Sequence, residues 1–320
     1  MRNLIAAMAF VLSLVVALPA HAQSFPGRAI RLVVIVPPGS AADIIARLFA
    51  PHMAEGFKQS VLVDNRPGAG GVIATGVVKT AKPDGYTLLV TSSAHAINAT
   101  LYSQLPYDSV KDFSFVGLCG NSANVLVVTP GLPVYSVGEL IALAKSKPGE
   151  MNIGHSSPGT TVHLSAVLFS MMAGIKVTHV PYKGASDLLT DLMSGRLQVT
   201  TASISSAIQL LRGGKLRPLG VTTTQRHQAL PDIPPIAETV PGYEAVVWFG
   251  VIGPAGIPKP IVDTLNRALN EAVRAPEVSA KLVVAGVDPV TSTPEQFAAL
   301  VRTEIPKWGQ VVRESGARAD

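Results

Sequence analysis

Two stretches of this chain join an apolar run to a loop of Pro, Gly and Ser and then to a helical pattern, a junction that can hold an anion. In Arg31–Phe49 (RLVVIVPPGSAADIIARLF) the β-branched run Leu32–Val36 suits a strand buried on both faces. Pro37-Pro38-Gly39 stops it, because proline cannot donate to a ladder and glycine tolerates unusual φ. Ser40 then opens a helix that carries Ile44, Ile45, Leu48 and Phe49 at helical spacing. The same design returns as Asn152-Ile153-Gly154-His155, the loop Ser156–Thr161, and an apolar helix over Val162–Met172. A tight strand-to-helix turn leaves backbone N–H groups unpaired at the positive end of the helix dipole. Two such turns predict a pair of grips, one for each side of a small carboxylate.

Other chemistries fit the residues less well. Serine, histidine and aspartate are all present, yet there is no G-x-S-x-G elbow, so no catalytic residue is assigned and the chain is not read as an enzyme. His95, His155, His163 and Asp43 stand in contexts of binding or packing. Asp43 falls in the first turn of its helix, where the dipole stabilises a carboxylate by about 0.3–1 kcal/mol. His155 and His163 bracket the second loop, but their spacing matches no metal motif, and neither a metal nor another cofactor is expected. The loop Asp64–Gly71 (DNRPGAGG) lacks the spacing of a nucleotide site and reads either as a tight turn or as a backbone wall of a cleft. Thr160 and Thr161 suit capping, anion binding or both. Lys183 reads as a solvated turn lysine, and Tyr182 as a wall whose ring packs while its hydroxyl hydrogen-bonds.

The elements that must position these groups alternate. Strands are expected at Val61–Val63, Tyr86–Thr91, Phe115–Val128, Val177–Val180, Leu197–Ser203 and Trp248–Ile252, with residues 120–124 interrupting the long one. Ser92-Ser93-Ala94-His95 places polar groups where a parallel strand would meet a crevice. Ser136 with Glu139 forms a capping-box pattern ahead of a helix, and amphipathic helices start near Pro260 and Pro294. Residues 115–128 read as one crossing between domains and 218–222 as the return. Two blocks of alternating strands and helices argue for two α/β lobes with a ligand cleft between them.

At the N-terminus, Arg2, the apolar run Leu4–Leu18 and the small-x-small pattern Ala20-His21-Ala22 form a secretory signal, with cleavage expected after Ala22. A membrane anchor is the alternative, but spanning needs roughly 20 apolar residues. Removing residues 1–22 leaves 298 of 320 and lowers the net charge from +5 to +4. That mild, dispersed excess gives no footing for nucleic-acid binding. Cys119 is the sole cysteine, so no intrachain disulfide forms, and its apolar neighbours mark it as a buried small hydrophobe. Export without disulfides points to a bacterial periplasm.

The motifs PPGSAAD (37–43), NRPGAGG (65–71), PDGYTLL (83–89), HAIN (95–98), LPYDSVKDF (105–113), SSPGTTVHL (156–164), HVPYKG (179–184), LPDIPPIAE (230–238) and WFGVIGPAGIPKPIV (248–262) occur in this order. Together they resemble the solute-binding proteins of tripartite tricarboxylate transporters, the Bug family, over nearly the whole mature chain. The resemblance implies a periplasmic binding protein of type II-like fold, its lobes joined by two crossing strands: 23–122 with 223–320 as lobe 1, and 123–222 as lobe 2. It implies a monomer that hands a carboxylated solute to two membrane permease subunits. The family's binding loops fall on Val36, Pro38, Gly39, Ser40 and Ala41; on Ser92 and Ser93; on Ser157, Gly159, Thr160 and Thr161; and near Ala202 and Ser203, with Tyr182 as a wall.

Three positions depart from the family pattern. Gly39-Ser40 stands where two glycines are usual, Val36 where an aromatic is usual, and Ala202 where an aspartate often meets a ligand amino group. Without that acid the expected ligand is an organic acid, a mono- or dicarboxylate, rather than an amino acid. Valine at 36 leaves a wider, more apolar mouth suited to an aliphatic or aromatic acid. A sensing role, with the closed form docking on a signalling receptor, stands beside transport as the alternative.

Overall fold

The structure is a computed structural model that describes residues 25–156, 159–182 and 184–319. The expected signal segment, Ser157 and Lys183 lie outside the described residues.

β1 (Ile30–Val34) is flanked on both sides by parallel strands, β2 (Val61–Asn65) and β3 (Thr87–Ser92). β1 stops two residues earlier than its apolar run. The Arg66 N–H takes the Val34 carbonyl at 2.9 Å, and the chain then peels away toward Pro37. α1 (Ala41–Phe57) and α2 (Val72–Lys79) connect these strands. After β3 come α3 (Ala94–Leu101) and β4 (Phe113–Val128), a 16-residue strand that the sequence reading had broken at 120–124. It is continuous, and small irregularities between Phe115 and Gly117 and between Leu118 and Gly120 absorb the register change.

β4 serves two sheets. Phe113–Ala123 pairs antiparallel with β9 (Val246–Pro254), which also pairs with β3. Asn124–Val128 pairs with β7 (Val199–Ser203) on one side and β8 (Arg217–Val221) on the other. Residues 218–222, read from sequence as the return crossing, therefore run along the far half of β4. The return lies in β9, whose first residue, Val246, sits opposite Ala123. The second sheet adds β5 (Asn152–Ser156), parallel to both β6 (Thr178–Tyr182) and β7. Its helices are α4 (Val137–Ser146), α5 (Thr161–Ala173), α6 (Ala185–Ser194) and α7 (Ile204–Arg212). The chain ends with α8 (Lys259–Arg274), α9 (Pro276–Val284) and α10 (Pro294–Ser315) on the first sheet.

Three apolar clusters hold these layers. One lies under α1 and α8, with Ile45, Phe49, Leu265 and Leu269 buried. Another lies under α6 and α7, with Leu188, Leu192 and Ala207. The third is continuous across both sheets beneath α5 and α10, which explains why α5 is buried almost all round rather than along one stripe. Two indoles anchor that cluster: Trp308 and Trp248 both donate to the buried Glu304 carboxylate, at 2.5 and 3.3 Å. α4 begins as expected, with Ser136 accepting from the Glu139 N–H at 3.1 Å. The Glu139 carboxylate, however, reaches back to the Tyr135 N–H at 2.6 Å, one residue beyond a capping box. Cys119 is fully buried, and burial raises its thiol far above the usual range, so it packs as a hydrophobe.

Candidate functional site

Strand order places the site. The first sheet runs β2-β1-β3, so the connections leaving the adjacent strands β1 and β3 run in opposite directions and a crevice opens beyond their carboxyl ends. The second runs β7-β5-β6, with the equivalent crevice beyond β5 and β7. The described segments at these four strand ends are 35–41, 92–94, 159–161 and 202–204. The described site residues inferred from sequence, except Tyr182 at the end of β6, lie on them.

The two crevices meet. Ser93 Oγ, on the loop after β3, lies 3.1 Å from Thr161 Oγ1, the first residue of α5. Both side chains are buried, at 1% and 9% exposure. Ser93 is fixed from behind by its own N–H, which donates to the Trp248 carbonyl of β9 at 3.0 Å. Nearby, Gly159 turns at φ +77° with its Cα against Leu101 of α3; an added Cβ would stand 2.8 Å from the leucine Cδ2. The second loop thus touches the first sheet's helices directly.

Within the first loop, Pro38 and Gly39 are exposed and Val36, Ser40 and Ala41 half-buried. The Ser40 side chain makes no cap hydrogen bond, which leaves the first-turn N–H groups of α1 without a side-chain acceptor from that residue. The Gly39 N–H is different: it donates to Asp43 Oδ2 at 2.8 Å, so the chain's own carboxylate takes one donor assigned from sequence to the ligand. Asp43 is 2% exposed and also accepts from Arg47 Nε at 3.0 Å and Asn65 Nδ2 at 2.8 Å. Burial alone would raise its pKa, but the hydrogen bonds from Arg47, Gly39 and Asn65 outweigh it and hold the carboxyl below its usual range. Asn65 Nδ2 also donates to the Val36 carbonyl at 3.0 Å. Both ends of the loop 36–39 are therefore braced, by Asp43 at one and Asn65 at the other. The brace was missed in the sequence, where Asp43 read as a dipole-stabilising residue and Asn65 as loop. The DNRPGAGG stretch forms a tight turn, with positive φ at Gly68, Gly70 and Gly71 and a short 3₁₀ segment at Ala69–Gly71.

In the second loop Thr160 caps α5, accepting from the His163 N–H at 3.3 Å. Gly159 N–H donates to His163 Nδ1 at 3.0 Å. Ser203 caps α7 through the Ser206 N–H at 3.3 Å and remains half-buried, and Ala202 beside it is buried on β7. Ser92 accepts from the Ala94 N–H at 3.4 Å. Tyr182 keeps its half-buried ring against Gly154, but its hydroxyl donates to Asp191 Oδ2 at 3.1 Å and so is already paired. His95 is packed, not presented: its Nε2 is 2.8 Å from the Ser109 carbonyl, its ring stacks near Tyr107, and burial lowers its pKa to about 4. Among the described residues no group of three or more His, Cys, Asp or Glu is arranged to hold a metal ion.

Two α/β sheets sharing long crossing strands, with opposed crevices at their carboxyl ends, define a type II-like periplasmic solute-binding fold. The family model described as tripartite tricarboxylate transporter family receptor matches residues 45–317, and the chain belongs to that family. It is 35% identical over 312 residues to the protein BugT of Bordetella pertussis, covering 97% of this chain and 96% of that one. A UPF0065 protein of Pseudomonas sp. strain P51, from the tcbD-tcbE intergenic region, is 36% identical over 91% of this chain and 88% of its own. Among solved structures, R. palustris Rpa4515 with adipate is 38% identical with a TM-score of 0.73, covering 92% and 99% of the two chains. A TctC solute-binding protein from Polaromonas without ligand is 25% identical with a TM-score of 0.84, covering 91% and 100%. MatC from Rhodopseudomonas palustris with bound malate is 30% identical with a TM-score of 0.70, covering 90% and 100%. Family receptors are periplasmic solute-binding proteins, and no described helix here is long and apolar enough to cross a membrane.

Proposed function

We propose that this receptor captures a small organic mono- or dicarboxylate between its two lobes and delivers it to the permease subunits of a tripartite tricarboxylate-type transporter. The observation that carries the reading is the meeting of the two crevices at Ser93 and Thr161. A solute bridging them touches the helix starts of both α1 and α5. Residues 1–22 act as the export signal, cleaved after Ala22, and the mature protein works as a monomer in the periplasm. With the return lying in β9, lobe 1 comprises 23–122 and 246–320, and lobe 2 comprises 123–245, a later boundary than the 222/223 read from sequence. Contacts come from Val36, Pro38, Ser40 and Ala41, from Ser92 and Ser93, and from Ser157, Gly159, Thr160 and Thr161, with Tyr182, Ala202 and Ser203 as walls. Gly39 contributes shape rather than a donor, since its N–H is spent on Asp43.

The energetics suffice. A micromolar solute needs about −8 kcal/mol. Charge-assisted hydrogen bonds contribute about 1.5–3 kcal/mol each, and a partly buried helix terminus up to about 2. Several such contacts, less the cost of closing the lobes, reach that range. The higher TM-score to the ligand-free Polaromonas protein, at lower identity than the adipate- and malate-bound relatives, supports a solute-free lobe arrangement here. A ligand touching both lobes then favours closure by its differential affinity.

Ala202 sets the ligand class: buried on β7 with no acidic side chain, it offers nothing to an ammonium group. Calorimetric titration with adipate, malate, benzoate, citrate, aspartate and glutamate tests this. A mono- or dicarboxylate is expected to bind most tightly. Tighter binding of either amino acid refutes the ligand class, and no binding by any acid refutes the receptor reading.

A further inference from the structure

Three imidazoles gather behind the second loop on the consecutive elements β5, α5 and β6. His155 at the end of β5 and His163 in the first turn of α5 stack with ring centroids 3.9 Å apart and planes at 28°. The His179 ring, on edge strand β6, lies 6.1 Å from the first and 6.3 Å from the second. Stacked rings point their nitrogen lone pairs side by side rather than at a common point, so the trio is not a metal cage. The Nδ1 atoms of His155 and His179 are shielded from solvent and have no hydrogen-bond partner. His163 Nδ1 has one: it accepts from the Gly159 N–H at 3.0 Å, while the His163 backbone N–H donates to the Thr160 cap. Accepting at Nδ1 places the single ring proton on Nε2. A second proton would have to enter at Nδ1, where it would face the Gly159 N–H donor to donor.

We propose that His163 is a positioning residue of the solute site: its unprotonated Nδ1 seats the Gly159 N–H, and with it the loop that opens α5, so that the grip is lost when this ring takes up a proton. The inference rests on the carboxylate-receptor reading above and names how that site is held and released. The titratable groups around the ring are His155 on β5, His179 on β6, Lys176 ahead of β6 and Glu314 at the end of α10; the last two share with it a groove of about 300 Å³ that leads to solvent. With the loop seated, burial together with the neighbouring imidazoles holds His163 at about 3 and His155 at about 4. A displaced loop would relieve part of that burial and let the ring's pKa rise back toward its ordinary value near 6.5. The seated form therefore binds fewer protons, and falling pH below 6.5 favours the displaced form. One proton of this kind weakens solute binding by up to about tenfold per pH unit.

Two experiments on the mature full chain test the proposal. In the absence of solute, NMR at pH 7.5 should find His163 as the Nε2–H tautomer, with a scalar coupling across the Gly159 N–H···Nδ1 bond that fades on acidification. An Nδ1–H tautomer or a missing coupling overturns the proposal whether or not any acid binds. With adipate as probe, calorimetry from pH 7.5 to 4.5 should show affinity falling below pH 6.5 in the native chain. His163→Asn keeps an acceptor near the Nδ1 position without titrating; it should bind within a few-fold of native at pH 7.5 and lose most of the slope. His163→Ala should bind about tenfold more weakly at pH 7.5. A flat native profile, or a native slope retained in His163→Asn, overturns the proposal.

Discussion

The contact between Ser93 Oγ and Thr161 Oγ1 is a direct hydrogen bond between the two crevices, and removing it tests the geometry on which the site rests. Ser93→Ala leaves the Thr161 hydroxyl buried with its partner gone, a loss of about 1–3 kcal/mol. Thr161→Val is nearly isosteric and strands the serine in the same way; α5 keeps its cap, because Thr160 supplies it. Deleting both hydroxyls at once leaves neither stranded, so the double variant costs only the net bond, about 0.5–1.5 kcal/mol. The cycle should therefore be non-additive by about 1 kcal/mol or more, where distant sites add within about 0.3–0.5. Guanidinium unfolding of the solute-free protein, compared at equal slope, reads the coupling. Additivity of the two single variants would show that the crevices do not meet and would remove the basis for a bridging solute.

Two further outcomes follow from the loops themselves. Asp43 is held below the ordinary carboxylate value of 3.8 by its hydrogen bonds, so it contributes stability that is present above that pH and lost as the pH falls through the lower folded value. Asp43→Asn should flatten the acid limb of an unfolding-versus-pH curve below about pH 4, and weaken adipate binding because Gly39 loses its carboxylate acceptor; an unchanged acid limb would contradict the brace. Gly159→Ala forces a methyl toward Leu101 at a φ of +77°, where an L-residue costs about 1–2 kcal/mol. Solute affinity should fall while the thermal midpoint shifts by only a few degrees, and undiminished affinity would place this glycine away from the grip.

Much of this protein was legible in its residues because the relevant signals are local. Apolar β-branched runs, Pro/Gly stops and Ser or Thr caps located β1, β5, α5 and the start of α1 to within two or three residues. Anion-ready helix starts follow from the same short windows. Strand order, and so the meeting of the loop after β3 with the start of α5, depends on which strand edges pair, and pairing is a long-range choice that no window encodes. For the same reason residues 218–222 read as a crossing although they line the far half of β4: a strand looks alike wherever it pairs. The Asp43–Asn65 brace joins residues 22 apart. The imidazole trio joins two histidines flanking one loop to a third on an edge strand, and its neutrality comes from burial rather than from side-chain type. Chain chemistry thus determined which loops can receive an anion. Packing decided which donors remain available, because burial makes every unpaired polar group costly and obliges each to find a partner inside the fold or in the solute.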